Sequence, residues 1–350
     1  MQNDSLYINY DRSVLVLVYV DNLVLAAAEV KDIEWIKGAL TEAFEMTDLG
    51  ELTDFLGLEI SRERSERLLT LHQKRYINKI LTHHGMQDSR PSLTPLDSHI
   101  RLQPQTKETE ATRFSLDLYQ SAVGSLMYAM LGTRPDIGYV VGLISQFNHA
   151  PLPEHWVAVK KIFRYIAGTR TLKLQYGSSN QSGGYSDAAW GSGHARKSVG
   201  GFVFLLNVGA ISWVSKKQSS IALSTTEAEY MAMTQATKEI IWLRVLFEEV
   251  GAIQHIDQMA TLYGDNQGAL ALARNPEYHP RTKHIHIQYH FVRDLVQADQ
   301  VNLDYCPSPD MIADIITKAL PRTTHEKHTT AMGMIDETEK RYGRLREGAC

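Results

Sequence analysis

From Val14 to Val20 every position is apolar or aromatic, Asp21-Asn22 supplies turn chemistry, and Leu23-Val24-Leu25 resumes the apolar pattern. This predicts a hairpin buried on both faces with Asp21 at its tip. Ile33, Ile36, Leu40 and Phe44 recur at helical spacing. A second hairpin is expected over Phe55–Ile60 and Leu68–His72, then a short helix around Ile77, Ile80 and Leu81 that stops at Gly85. Residues 88–112 gather Pro91, Pro95, Pro104, serines and charges, and read as an exposed linker. Three helical patterns come next, interrupted by Gly132 with Pro135 and by Pro151 with Pro153. Their small residues Ala122, Gly124, Ser125 and Ala129 permit close helix packing, as in a helical spacer.

From Leu172 the period shortens, with strands expected at Leu172–Tyr176, Gly184–Asp187, Gly200–Leu206 and Ala210–Val214. A long helix, Thr225–Glu249, precedes a strand at Ala260–Gly264, a helix, and another helix at Thr282–Gln297. A strand at Val301–Tyr305 and a last helix at Pro309–Ala319 complete the pattern. Strands succeeded by alternating helices and strands predict a mixed sheet covered by helices, of α/β and α+β class.

A length of 350 residues with 43% hydrophobic content allows two or three domains, each with its own core. The N-terminus has no signal-peptide pattern and no apolar run reaches bilayer length, so no membrane association is expected. Two cysteines, Cys306 and Cys350, exclude a disulfide framework and suit a reducing, intracellular setting. A net charge of −4 leaves any attraction to nucleic acid to local clusters. These are Lys160, Lys161, Arg164, Arg170 and Lys173, and Arg196, Lys197, Lys216 and Lys217, each of which, taken alone, reads as a solvated face rather than a binding site.

The long helix separates two glutamates by its own geometry. Ser224-Thr225-Thr226-Glu227 is a capping box, which gives Glu227 a structural task. At ~100° per residue Glu229 shares the stripe of Ala232, Met233, Ala236, Ile240, Leu243 and Phe247. A carboxylate on an apolar face needs a partner. Asp187 on an early strand and Asp265 at a strand end are the candidates, and three converging acids imply a bound cation, with oxygen ligands selecting Mg²⁺ or Mn²⁺. Each acid also has a plainer reading: Asp187 as a turn residue, Asp265 as a helix cap, Glu229 paired with a basic residue. Asp314 lies off the Ile312, Ile315, Ile316 and Ala319 stripe, so spacing does not make it a ligand.

Specific motifs carry a family resemblance. Tyr185-Ser186-Asp187-Ala188-Ala189-Trp190, Ser212-Trp213, Ser215-Lys216-Lys217-Gln218 and Leu223-Ser224-Thr225-Thr226-Glu227-Ala228-Glu229-Tyr230 resemble the RNase H domain of copia-type LTR retrotransposon Pol polyproteins. So do Asp265-Asn266-Gln267, Arg281-Thr282-Lys283-His284-Ile285, Tyr289-His290-Phe291 and Ala313-Asp314-Ile315-Ile316-Thr317-Lys318. Upstream, Tyr19-Val20-Asp21-Asn22 resembles the Tyr-Val-Asp-Asp polymerase hairpin of the same family. Asp48-Leu49-Gly50-Glu51-Leu52 with Phe55-Leu56-Gly57 resembles the polymerase segment C-terminal to that hairpin, and Arg134-Pro135-Asp136-Ile137 the connecting helices.

The resemblance implies a partial reverse-transcriptase palm and thumb over 1–87, a linker over 88–112 and a helical connection over 113–171. An RNase H-like domain over 172–322, a mixed sheet flanked by helices, and a C-terminal tail over 323–350 complete the expected organisation. It implies Asp187, Glu229, Asp265 and Asp314 as catalytic and metal-binding acids. Two departures stand out: Asn22 replaces the second polymerase aspartate, and His286 replaces an aspartate. With the upstream palm aspartate expected to fall outside the chain, reverse transcription is expected to be lost.

The expected activity is cleavage of the RNA strand of an RNA–DNA hybrid by two Mg²⁺ or Mn²⁺ ions. Lys216, Lys217 and the Lys160–Arg164 helix are candidates for phosphate contacts, and Trp190, Asn266 and Gln267 for further substrate contacts. His284, His286 and His290 are candidates for proton transfer or, more plainly, helix packing. Other Pol or Gag proteins are expected partners, in cytoplasm, nucleus or virus-like particles. The alternatives are an inactive remnant that binds hybrid or structured RNA, a DNA-strand-transfer nuclease, and a structural protein stapled by metal.

Overall fold

The computed structural model describes residues 5–104, 114–177, 182–191, 196–252, 260–275 and 286–336. The first unit is an antiparallel sheet of β1 (Leu6–Asn9), β2 (Val14–Tyr19) and β3 (Asn22–Ala27), covered by helix α1 (Val30–Ala43). Tyr19 pairs with Asn22, leaving Val20 and Asp21 as a two-residue turn in which Val20 takes φ 55°. The expectation of a hairpin buried on both faces is corrected: Val14 alone in β2 and β3 is fully buried, because the covering layer is one amphipathic helix. Phe44, placed by spacing on that helix's stripe, caps it and is exposed.

A second sheet runs β13 (Met334–Asp336), β7 (Leu172–Tyr176), β6 (Leu68–His72), β5 (Leu58–Glu63), β4 (Asp54–Phe55), antiparallel throughout. Helix α2 (Lys74–His83) comes after β6 and ends before Gly85, whose φ of +65° suits the left-handed position after a helix. It packs with α3 (Leu116–Gly132), α4 (Gly138–Ser145) and α5 (Pro153–Gly168) around Ile77, Leu81, Tyr119, Leu126, Ile144 and Phe163. The breaks fall at the glycine and proline positions that the pattern marks.

Two expectations change here. Leu172–Tyr176 does not open the C-terminal sheet but joins β6, so the boundary expected at residue 172 cuts through a sheet. The segment from 88 to 104 has no helix or strand, yet Leu96 is buried and Ser92 N–H donates to the Arg164 carbonyl. It is a packed strap rather than an exposed linker, and residues 105–113 lie outside the described residues.

The third sheet positions the candidate site. Its order is β10 (Gly209–Lys217), β9 (Val199–Leu206), β8 (Gly183–Ala189), β11 (Thr261–Gly264), β12 (Asn302–Tyr305). The first three strands are antiparallel, and β11 runs parallel to β8 and β12. In β9, Phe202 and Phe204 join the core beneath α6 (Thr225–Glu249), α7 (Gln267–Arg274) and α8 (His286–Gln297), while Val203 and Leu205 join the opposite core. That is why β9 reads as a continuous apolar run.

The opposite layer holds two more corrections. Pro309–Ala319 forms no α-helix but two 3-10 turns, Ser308–Asp310 and Ile312–Ile316, the second buried at every residue. The expected tail is folded as α9 (Arg322–Ala331) and β13, with Met332 and Met334 in the core, and residues 337–350 lie outside the described residues. Of the helix expected from Thr282, the described part begins at His286. Among the described residues no helix is long and apolar enough to cross a membrane.

Candidate metal centre

Asp187 stands opposite Gly201 in the β8–β9 ladder, and Ala188 opposite Gly200. Successive strand residues face opposite sides, so the two glycines open the two faces. A Cβ at Gly201 would lie 2.9 Å from Ile316 Cδ1, and one at Gly200 would lie 3.3 Å from Ala232 Cβ. The bare backbone thus admits the Ile312–Ile316 turn on one face and α6 on the other. Both bring acids with them.

Glu229 lies one turn before Ala232 on α6 and accepts from the Ala188 backbone N–H. The Ser224 hydroxyl accepts from Glu227 N–H, and Glu227 accepts from Leu223 N–H, so the cap occupies Glu227 as its spacing predicts. Tyr263 pairs with Tyr185 across the parallel strands, so two residues onward Asp265 comes level with Asp187. The cap of α7 is Asn266, whose side chain accepts from Ala269 N–H at 2.9 Å, which leaves Asp265 free of that task. Asp265 instead accepts from the Ser308 hydroxyl at 2.7 Å.

One carboxylate oxygen each from Asp187, Glu229 and Asp265 lies within 4.8 Å of the others. Asp187 and Glu229 are 2% and 9% exposed, so the cluster is poorly hydrated. Burial first, then the charges of Asp187 and Asp265, push the Glu229 carboxyl up to about 10. Asp314, also buried, stands outside this trio but against Asp187; burial and Asp187 raise it to about 7 while Lys318 opposes the rise. Lys318 Nζ is 2.7 Å from Asp314 Oδ1 and 3.7 Å from Asp187 Oδ2, and the Thr317 hydroxyl donates to the same Asp187 oxygen. Closely spaced carboxylates with little access to water are a donor set for a hard divalent cation.

The expected substrate contacts are less uniform. Lys216 pairs with Gly200 and Lys217 with Val199, two strands and about 10 Å across the sheet from β8. Lys216 is exposed, whereas Lys217 donates to Gln146, the residue that caps the C-terminus of α4. Trp190 is half exposed and donates its indole N–H to the Ala222 carbonyl. Gln267 is exposed, and Asn266 is held as a cap. The α5 cluster is largely engaged: Arg164 and Arg170 donate to carbonyls of the 87–90 segment, and Lys161 pairs with Asp97. His290 is exposed on α8, His286 opens that helix, and His284 lies outside the described residues. Asp21 lies in the β2–β3 turn and Asn22 opens β3 of the first sheet, where Asn22 donates to Asp21. Sequence reasoning assigns no role to Ser308, Thr317 or Lys318; the spacing of four between Asp314 and Lys318 is the available signal.

Residues 2–98 match the reverse transcriptase (RNA-dependent DNA polymerase) family. The chain is 41% identical over 327 residues to the retrovirus-related Pol polyprotein from transposon TNT 1-94 of Nicotiana tabacum, covering 92% of this chain and 24% of that protein. It is 36% identical over 326 residues to the retrovirus-related Pol polyprotein from transposon RE1 of Arabidopsis thaliana, covering 92% and 22%. It is 34% identical over 234 residues to the putative transposon Ty5-1 protein of Saccharomyces cerevisiae, covering 66% and 75%. The chain belongs to the Pol polyproteins of copia-type retrotransposons. It spans about a quarter of the length of the two plant relatives.

Proposed function

We propose that the β8–β12 sheet and its flanking helices form an RNase H-like domain that cleaves the RNA strand of RNA–DNA hybrids. The observation that carries this reading is the meeting of Asp187, Glu229 and Asp265 within 4.8 Å, with Asp187 and Glu229 buried. Three antiparallel strands continued by two parallel ones, with α6 across the sheet, support the fold assignment.

Asp187, Glu229 and Asp265, with Asp314 beside them, would hold two Mg²⁺ or Mn²⁺ ions. Bound there, the metal supplies Lewis-acid charge for water activation and for the leaving 3′ oxygen. Asp187, between Asp314 and the other two acids, anchors both sides of the site. Ser308 and Thr317 fix the rotamers of Asp265 and Asp187. Lys216 and Trp190 lie exposed for contact with the hybrid's phosphates and sugars, and the 2′-hydroxyl distinguishes RNA. The RNA–DNA hybrid and other retroelement Pol or Gag proteins are the proposed intracellular partners.

Asn22 supports a second statement: the Tyr19–Asn22 turn offers one carboxylate where nucleotide transfer needs two, so no polymerase activity is expected. It also favours the competing reading of an inactive element remnant that only binds hybrid or structured RNA. Mg²⁺-dependent cleavage of a labelled hybrid, with Asp187→Asn and RNA–RNA duplex as controls, separates them. RNA-strand cutting that vanishes in the variant supports the nuclease. Tight binding without cutting by the folded chain overturns it.

A further inference from the structure

The carboxylate cluster has two unlike sides. Between Asp187 and Asp314 lies an ammonium, with Lys318 Nζ 2.7 Å from Asp314 Oδ1 and 3.7 Å from Asp187 Oδ2. Around Glu229 and Asp265 no ion pair occurs among the described residues, and the one side-chain donor is the Ser308 hydroxyl on Asp265. The asymmetry comes from the backbone. After the Ile312–Ile316 turn, Lys318 N–H donates to the Asp314 carbonyl, a single α-type turn that carries the Lys318 side chain back alongside Asp314. That turn is pressed against β9 where Gly201 leaves room for Ile316, which fixes the distance from Lys318 to Asp187.

We propose that Lys318 occupies the place of the second divalent ion in the chain free of nucleic acid, so that the protein binds one ion, on Asp187, Glu229 and Asp265. This rests on the metal-centre reading above. An ammonium matches the requirement of that side, since it brings positive charge to two neighbouring carboxylates without needing six oxygen ligands. The side chain of Lys318 is 40% exposed, against 3% for Asp187 and 11% for Asp314, so its tip has a path outward when the anionic phosphodiester arrives. Lys318 is then a positioning residue that keeps Asp187 and Asp314 in place and sets the order of ion entry.

The test counts ions rather than turnover. Mn²⁺ binding to the purified full chain, without nucleic acid, is measured by calorimetry and by the loss of the free-ion paramagnetic signal, for wild type, Lys318→Met and Lys318→Arg. The expected counts are one ion for wild type and Lys318→Arg, and two for Lys318→Met. Two ions in wild type, or one in a folded Lys318→Met, overturn the proposal while leaving the metal centre intact. No ion in any of the chains overturns the metal centre itself, and this inference with it. Lys318→Gln, which keeps a hydrogen-bond donor for Asp314, carries the same expectation as the methionine variant if that one does not fold.

Discussion

Asp187 and Gly201 face each other across the β8–β9 ladder, and the room left by the missing Gly201 side chain is filled by Ile316 and the Val214 carbonyl. A side chain-free position is thus what lets the turn carrying Asp314 reach Asp187. Gly201→Ala places a Cβ 2.6 Å from the Val214 oxygen, and backbone cannot move aside cheaply. The expected outcome is a loss of about 1–3 kcal/mol in urea unfolding. Mn²⁺ affinity should fall with it; unchanged affinity would show that the turn does not depend on this contact.

The acids themselves trade stability for cation binding. Glu229 has a carboxyl near 10 in the fold against an ordinary value of 4.5. Between those values the unfolded chain is ionised there and the folded chain is not, so metal-free stability is lost as pH rises from about 4.5. Glu229→Gln should therefore raise the melting temperature in chelator at pH 8 by a few degrees, at roughly 2–4 °C per kcal/mol for a domain of this size. The same variant should lose about 10³-fold or more in hybrid cleavage, roughly 4 kcal/mol of barrier. A melting temperature lower than wild type under chelator would contradict the assigned burial cost.

Much of this site is legible in the sequence alone. The capping box sets the phase of α6, so Glu229 has to point with Ala232 and Met233, and both are buried with it. Asp187 comes from within an early strand and Asp265 from just past a strand end. Asp314 is not legible from periodicity, because a 3.6-residue stripe does not describe a 3-10 turn in which all five residues are buried. Strand β7 escapes for a different reason: a five-residue strand of alternating apolar and polar residues has the same local pattern whichever sheet it joins, and its partners, β6 and β13, lie far away in sequence. The folded segment after residue 322 is hidden because α9 is rich in Thr and His and buries His325, His328 and Thr329 instead of an apolar stripe.

Arg134 and Asp136 form a fully buried two-point ion pair, at 2.9 and 2.7 Å, where α3 meets α4. Tyr165 donates to Asp136 at 2.8 Å, and Arg134 also donates to the Thr169 carbonyl and hydroxyl at the end of α5. His325 Nε2 donates to the Asp136 carbonyl, tying α9 to the same point. Arg134→Met leaves a buried carboxylate unpaired and should cost about 3–5 kcal/mol. The double variant Arg134→Met with Asp136→Leu should cost clearly less than Arg134→Met alone, and a double-mutant cycle in urea measures the difference; simple additivity would argue against a coupled pair.

His328 supplies an acid-sensitive element on α9. It is 1% exposed, and neither ring nitrogen has a hydrogen-bond partner among the described residues. Burial first, then Lys327 and His325, hold its imidazole down to about 4 from an ordinary 6.5. Below 6.5 the unfolded chain takes up a proton that the folded chain refuses, so stability present at neutral pH is lost as pH falls from about 6.5 toward 4. At about 1.4 kcal/mol per pH unit the loss is on the order of 3 kcal/mol. His155 and His325 are also held below their ordinary value by burial and add to the same limb. His328→Leu removes two unsatisfied nitrogens and the titration together. Its urea midpoint should therefore be at or above that of wild type at pH 7.5, and should fall less between pH 6.5 and 4.5; an acid limb as steep as that of wild type would mean that His328 is protonated within the fold.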